Sequence, residues 1–144
     1  NTVAKTPREA LILASIIEKE TAKPSERRTI AAVYSNRLRE GMKLQADPTV
    51  IYPITKGKPL GRRILRSELE AQNGYNTYAM TGLPIGPICN PGRASIDAAL
   101  HPGDSDALYF VADGTGGHIF AKTLAEHQEN VRKWYAIRRQ RGEM

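Results

Sequence analysis

The feature that most constrains the fold is a largely apolar run, Leu11–Ile17. It is followed by two carboxylates, Glu18 and Glu20, and then by Pro24. Read as a helix, this run places Glu20 on the same face as the apolar residues three, four and seven positions earlier. Glu18 falls on the opposite face. A carboxylate that continues an apolar stripe is costly unless it is paired, hydrogen-bonded or protonated. Glu20 is therefore the residue that the fold has to accommodate.

Length and composition predict a single folded domain over residues 1–144, because the chain is 40% hydrophobic and 25% charged. A net charge of +6 favours polyanionic surroundings such as nucleic acid, anionic lipid or a cell-wall polymer, without choosing among them. The single cysteine, Cys89, excludes an internal disulfide and a cysteine-rich zinc site. The chain has no initiating Met, no signal peptide and no apolar run long enough to cross a bilayer. We expect a domain excised from a longer protein.

Two helices are predicted in the first third of the chain. The first runs from Thr6 or Pro7 to about Ala22, with Thr6 as its cap. The second is capped by Ser25 and stopped by Gly41, which supplies a left-handed residue.

The middle of the chain is predicted to be irregular. Residues 44–52 read as a loop that enters a short strand, and Ser67–Gln72 as a short helix capped by Ser67. Residues 82–92 contain three prolines and three glycines, which indicates a rigid, shaped wall rather than a flexible linker.

The last third is predicted to contain a helix, a hairpin and a second helix. Residues 94–100 read as a short helix, and residues 107–112 form the strongest strand pattern in the chain. A glycine-rich turn leads to a second strand, His118–Ala121, after which Thr123 caps the final helix. This order indicates the α+β class rather than a doubly wound sheet.

Glu20 has two interpretations. Its side chain could extend from the helix end into solvent, or partial burial could raise its pKa so that it donates a proton at neutral pH, as a general acid in glycosidic cleavage does. Hydrolytic glycosidases add a second carboxylate, for which Asp47 is the candidate, although Asp47–Pro48 is also a common turn. Amides and phenols that suit a sugar chain are concentrated in the irregular middle: Gln45, Tyr52, Tyr75, Asn76, Tyr78 and Asn90.

Three short motifs resemble those of lytic transglycosylases, in the same order: Ser15–Thr21, Gly41–Gln45 and Tyr75–Asn76. More closely, the chain resembles the YceG-like family of endolytic murein transglycosylases over nearly its whole length. The segments that carry this resemblance are Glu18–Thr21, Asn36–Leu38, Leu44–Tyr52, Tyr75–Tyr78, Gly82–Pro84, Asn90–Gly92, Tyr109–Ala112 and Glu126–His127.

The resemblance implies a lysozyme-like helical core with a small β-hairpin, and an enzyme that cuts peptidoglycan strands internally between N-acetylmuramic acid and N-acetylglucosamine. It implies a non-hydrolytic reaction that leaves 1,6-anhydro ends. We expect no cofactor, and no metal either, because His101 and His127 are too scattered in the sequence to indicate a metal site. The resemblance also implies a single-pass anchor in the inner membrane, with this domain on the periplasmic side, and contact with peptidoglycan synthases.

By motif and helical position, Glu20 is predicted to act first as the acid and then as the base. Gln45 and Asn76 would hydrogen-bond the sugar or its acetamido group, and Tyr75 would hold a ring edge or orient Glu20. Glu18 is predicted to pair with an Arg or Lys on the helix surface. The other predicted substrate-binding residues are Asp47, Thr49, Tyr52, Asn90 and His118, the last of which could instead be structural.

Two other functions remain open from the residues alone. The chain could be a true muramidase that uses Asp47. It could also be a non-catalytic module that binds peptidoglycan or nucleic acid, although no basic face interleaved with aromatic residues supports the nucleic-acid version, and we expect no nucleic-acid partner.

Overall fold

The computed structural model describes residues 2–143. In chain order, its elements are α1 (Pro7–Glu20), a 3₁₀ turn (Pro24–Glu26), α2 (Arg27–Arg39), α3 (Asp47–Thr55), α4 (Arg66–Leu69), α5 (Arg93–Leu100), β1 (Tyr109–Ala112), β2 (His118–Ala121) and α6 (Leu124–Gln140). This mixture of helices and one two-stranded sheet confirms the predicted α+β class.

Helix α1 begins and ends close to where its sequence predicts. The Oγ1 atom of Thr6 accepts a hydrogen bond from the backbone N–H of Glu9, and Pro7 occupies the first turn, where its missing N–H costs nothing. The second helix differs slightly from prediction. Pro24 opens a 3₁₀ turn, so α2 starts at Arg27 and Ser25 is not its cap. Gly41 follows α2 with φ of +71°, the left-handed conformation that was expected there.

The core lies where α1 packs against α2 and α5. Leu13, Ile16 and Ile17 of α1 are completely buried, as is Ile30 of α2. Burying side chains of this size stabilises the fold by about 1.5–3 kcal/mol each. Because these residues precede Glu20, the core fixes the position of the last turn of α1.

The predicted strand within residues 44–52 is wrong, because the structure has helix α3 there. Asp47 and Pro48 occupy its first turn, where a proline and an acidic residue are favoured. Thr49 and Val50, two of the residues that suggested a strand, are instead buried in this helix, which packs near α1. Lys56, with φ of +58°, ends the helix in a left-handed conformation.

The hairpin and the last helix form a more lightly packed unit. Strands β1 and β2 pair antiparallel, with Phe110 opposite Phe120. Thr123 and Glu126 close a reciprocal capping box at the start of α6, as predicted for Thr123. Helix α6 packs on the hairpin and contains no fully buried residue. Among residues 2–143, no helix combines the length and apolar character needed to span a membrane.

Candidate active site

The C-terminal end of α1 opens into a cavity of about 340 Å³, enclosed by α2, the loop before α3, the hairpin and α6. Six of its polar lining residues are Glu20, Tyr34, Arg37, Gln45, Asp47 and Tyr78. A wider, shallower groove lies beside the first half of α1, but its carboxylate, Glu9, is engaged by the backbone N–H of Lys5. The cavity at Glu20 is therefore the candidate active site.

Glu20 is partly buried and is held by one neighbour. The phenol of Tyr34 donates a hydrogen bond to Glu20 Oε1 at 2.9 Å, and Oε2 has no hydrogen-bond partner within residues 2–143. Burial raises the pKa of the Glu20 carboxyl above its ordinary value. The hydrogen bond from Tyr34 offsets part of that rise, the negative charge of Asp47 adds to it, and His118 opposes it. A carboxyl with a raised pKa is suited to donate a proton.

Asp47 and Gln45 lie at the rim of the same cavity. Asp47 is exposed, and its Oδ1 accepts a hydrogen bond from the Tyr78 phenol at 2.6 Å. Burial, followed by this contact with Asp47, raises the pKa of Tyr78, which keeps the phenol protonated as a donor. Gln45 has φ of +51°, and its backbone N–H bonds to the carbonyl of Thr77. This strained backbone leaves the Gln45 amide at the cavity rim.

His118 both lines the cavity and ties the hairpin to the helices. Its Nδ1 lies 2.8 Å from Glu26 Oε1, and its backbone N–H donates to Glu26 Oε2 at 2.9 Å. A Cβ atom at the neighbouring Gly117 would lie 2.7 Å from Glu26 Oε2, so a larger residue there would displace the Glu26 side chain from this contact. The structural role that the sequence left open for His118 is thus present, beside its place in the cavity wall.

The structure buries Asn76 and Thr49, and neither side chain lines the cavity around Glu20. Asn76 is 1% exposed, and its Nδ2 donates to the carbonyls of Leu69 and Ala71 at 2.9 Å each. The hydroxyl of Thr49 is completely buried and bonds to the hydroxyl of Thr77. Both side chains form their hydrogen bonds within the fold. These bonds hold the loops around α3 in place.

Three further predicted binding residues do not line this cavity. Tyr52 and Tyr75 pack against each other, with ring centroids 5.1 Å apart, at the edge of the core. Asn90 is exposed within the segment of residues 82–92. That segment packs on α1, where the N–H of Ile88 donates to Ser15, and no residue of it borders the cavity.

Glu18 forms a different interaction from the surface ion pair that was predicted. Its Oε1 accepts hydrogen bonds from the backbone N–H of Gly92 at 2.8 Å and from the hydroxyl of Ser95 at 3.0 Å. The Gly92 bond, with help from Ser95, lowers the pKa of Glu18. These donors lie at the N-terminus of α5, which attracts negative charge. Glu18 therefore joins α1 to α5.

Sequence reasoning missed several cavity residues because they are far apart in the chain. Helical spacing from Ile30 predicts that Tyr34 lies in the core. A buried tyrosine needs a partner for its hydroxyl, and that requirement is the signal for its bond to Glu20. Arg37 was noted only as part of a motif. His127 and Trp134 reach the cavity from α6, and nothing in their local sequence indicates that.

Within residues 2–143, no three His, Cys, Asp or Glu side chains come together in a way that could hold a metal ion.

The chain is similar to known proteins across most of its length. A model of the YceG-like family matches residues 1–133. A Bacillus subtilis protein named endolytic murein transglycosylase is 44% identical over 131 residues, which cover 91% of this chain and 36% of the relative. A Streptococcus pneumoniae protein of the same name is 39% identical over 132 residues, which cover 88% of this chain and 23% of the relative. This chain thus spans about a third or less of the length of these relatives.

A solved structure supports the same grouping. The crystal structure of a YceG-like protein from Listeria monocytogenes superimposes with a TM-score of 0.75 at 43% sequence identity, covering 85% of this chain and 38% of that one. With the family model matching more than nine-tenths of the chain, the chain belongs to the YceG-like family.

Proposed function

We propose that this chain is the catalytic domain of an endolytic peptidoglycan lytic transglycosylase, a lyase that cleaves the β-1,4 bond between N-acetylmuramic acid and N-acetylglucosamine. The observation that carries the proposal is the Glu20 carboxyl, which has a raised pKa and lies in a cavity large enough for part of a glycan strand. The names of the Bacillus and Streptococcus relatives support the same activity.

In the first half of the proposed reaction, Glu20 acts as the general acid. Because Tyr34 holds Oε1, the proton is carried by Oε2, which has no partner within residues 2–143. Oε2 donates this proton to the glycosidic oxygen as the bond from that oxygen to the muramyl anomeric carbon breaks. The leaving sugar departs with a free hydroxyl, and positive charge develops at the anomeric carbon.

In the second half, the same carboxylate acts as the base. It takes the proton from the C6 hydroxyl of the muramyl residue while that oxygen bonds to the anomeric carbon, which forms the 1,6-anhydro ring. No water is consumed, and Glu20 regains its proton. The nucleophile is the C6 hydroxyl of the substrate itself. The enzyme therefore has to orient this hydroxyl, and it does not need the second carboxylate that a hydrolase requires.

We assign Gln45, Asp47 and His118 to substrate binding, since all three line the cavity around Glu20. Asp47 contributes in a second way, because its negative charge raises the pKa of Glu20 and so favours the protonated form before reaction.

For the full-length protein, we propose a single-pass anchor in the inner membrane, with this domain on the periplasmic side near the peptidoglycan synthases. The relatives are about three to four times longer than the matched region, which leaves room for such an anchor. Protease added to intact spheroplasts is expected to digest this domain, and full protection would contradict the proposed location.

The product end group tests the proposed reaction directly. Wild-type protein is incubated with purified glycan strands in water labelled with heavy oxygen, and the products are analysed by mass spectrometry. We expect internal cleavage and 1,6-anhydro ends that contain no heavy oxygen. Absence of cleavage would overturn the proposal.

A hydrolytic muramidase is the second candidate, because Asp47 lines the same cavity as Glu20. The same experiment separates the two reactions. Hydrolysis would place heavy oxygen at a new reducing end, whereas transglycosylation leaves the label out.

A further inference from the structure

The cavity contains a buried cation that has no counter-charge. Arg37 of α2 is only 7% exposed, and none of the ion pairs formed within residues 2–143 includes it. A guanidinium remains charged in proteins, and burying such a charge is costly unless an opposite charge or hydrogen bonds compensate it.

Hydrogen bonds to backbone carbonyls compensate the charge of Arg37 on one side of its guanidinium group only. Its Nε donates to the carbonyl of Leu108 at 2.6 Å, and its Nη1 donates to the carbonyl of Lys43 at 2.8 Å. The guanidinium also lies 5.0 Å from the centre of the Tyr109 ring. Its Nη2 has no hydrogen-bond partner within the described residues, so these donors remain available where Arg37 lines the cavity.

The carboxylates in the cavity wall are occupied by other groups. Glu20 accepts a hydrogen bond from Tyr34, and Asp47 accepts one from Tyr78. Neither forms an ion pair with Arg37 in the described part of the chain. Any negative charge that faces Nη2 of Arg37 would therefore be supplied by a bound molecule.

The position of Arg37 relates this cation to the proposed acid. Arg37 follows Tyr34 by three residues on α2, which is about 4.5 Å along a helix axis and on nearly the same face. Tyr34 contacts Glu20 directly. An anion bound by Arg37 would accordingly lie about one helical turn from the contact between Tyr34 and Glu20.

We propose that Arg37 forms a carboxylate-binding subsite for the substrate. This inference rests on the proposed function and specifies which substituent of the glycan is recognised. Peptidoglycan carries carboxylates in two places: on the lactyl group of muramic acid where no peptide is attached, and on the peptide where one is. Guanidinium groups bind carboxylates through charge-assisted hydrogen bonds, so the Nη2 donors of Arg37 bind such a group.

A purely structural role is the competing explanation, because the bonds from Arg37 to Leu108 and Lys43 also brace the strand against the loop before α3. Bracing would act equally on every substrate. Recognition of a carboxylate, by contrast, depends on the charge of the substrate, so the test varies the substrate as well as the protein.

Binding is measured on the Glu20→Gln protein, so that no strand is consumed, with three synthetic glycans that differ only at the lactyl group: a free carboxylate, a neutral methylamide, and an amide to a short acidic peptide. We expect at least one of the two acidic glycans to bind about tenfold or more tighter than the neutral one. Which acidic glycan binds more tightly identifies the source of the carboxylate.

In the Arg37→Gln, Glu20→Gln double variant, this preference is expected to disappear while binding of the neutral glycan persists. Arg39→Gln, which removes the same charge from an exposed position on the same helix, is the matched control and should keep the preference. Equal binding of all three glycans by the Glu20→Gln protein overturns the proposal even if Arg37→Gln fails to fold. Cleavage of all three at equal rates by wild type would overturn it while leaving the proposed function intact.

Discussion

The last turn of α1 carries two carboxylates, Glu18 and Glu20, on different faces of the helix. The two groups lie in contrasting environments. On one face, Glu18 accepts hydrogen bonds from Gly92 and Ser95, and these lower its pKa. On the other face, Glu20 is desolvated in a cavity and accepts a single bond from Tyr34, so its pKa is raised. The two residues are only two positions apart.

This difference shows that burial and the number of hydrogen-bond donors around a carboxyl, rather than its position in the chain, decide what it can do. Donors that favour the ionised form make Glu18 a structural anion. Burial with few donors raises the pKa of Glu20, which suits it to transfer a proton. Each of the following predictions tests one side of this contrast.

The largest expected effect comes from Glu20→Gln. Removing a general acid typically costs a factor of about 10²–10⁴ in rate. In the proposed reaction the same group serves twice, so we expect activity to fall by about 10³ or more. The measurement is the release of anhydro-ended products from purified glycan strands, followed by mass spectrometry. Circular dichroism is expected to be unchanged, because Gln is nearly the same size. Wild-type activity in this variant would remove Glu20 from the mechanism.

The next largest effect is expected for Tyr34→Phe, which leaves the Glu20 carboxylate without its donor. Because the bond from Tyr34 lowers the pKa of Glu20, removing it raises that pKa further. A hydrogen bond to a charged group contributes about 1.5–3 kcal/mol, so the limb of the pH–rate profile that reports Glu20 should move up by about one unit or more. The measurement is kcat/KM as a function of pH.

Tyr78→Phe is the matched control for this variant, since Tyr78 donates to Asp47 rather than to Glu20. It is expected to leave that limb closer to its wild-type position. An unshifted profile in Tyr34→Phe, or an equal shift in both variants, would mean that Tyr34 does not set the pKa of Glu20.

The smallest effect on activity is expected for Glu18→Gln. This variant should instead lose stability. Removing the charge at the start of α5 should lower the free energy of unfolding by about 1 kcal/mol, the usual contribution of a capping side chain. Because the folded-state pKa of Glu18 is lowered, its contribution is present above the ordinary glutamate pKa of about 4.3 and is lost as pH falls through the folded value. Urea unfolding at pH 7 and at pH 3 measures this difference.

We expect Glu18→Gln to differ from wild type at pH 7 and to approach it at pH 3, with activity at pH 7 unchanged. A loss of activity as large as that of Glu20→Gln would contradict the separation of the two faces.

Local signals predicted most of the fold. The bounds of α1, the positions of both strands and the Thr123 cap of α6 follow from capping residues, periodicity and turn residues, which act over a few positions. The strand predicted within residues 44–52 failed because its β-branched residues favour a strand only weakly. Packing against α1 and the start supplied by Asp47 and Pro48 favour a helix there instead.

The candidate site was predicted only in part, because it depends on contacts between residues that are distant in sequence. Glu20 stood out because a carboxylate interrupts an apolar stripe. Asn76 shares with Gln45 the chemistry that a sugar needs, but its amide is used by the carbonyls of Leu69 and Ala71. Which amide faces a cavity depends on neighbours that are distant in sequence.

The sequence alone determines that α1 ends in two carboxylates on opposite faces. The face on which each residue of a helix lies follows directly from its spacing along the chain. Only the tertiary structure decides which of them has a raised pKa and which a lowered one. Desolvation and hydrogen bonding depend on groups brought from elsewhere in the fold: Tyr34 for Glu20, Gly92 and Ser95 for Glu18. Contacts between distant parts of the chain also decide that Arg37 is buried in the wall of the cavity.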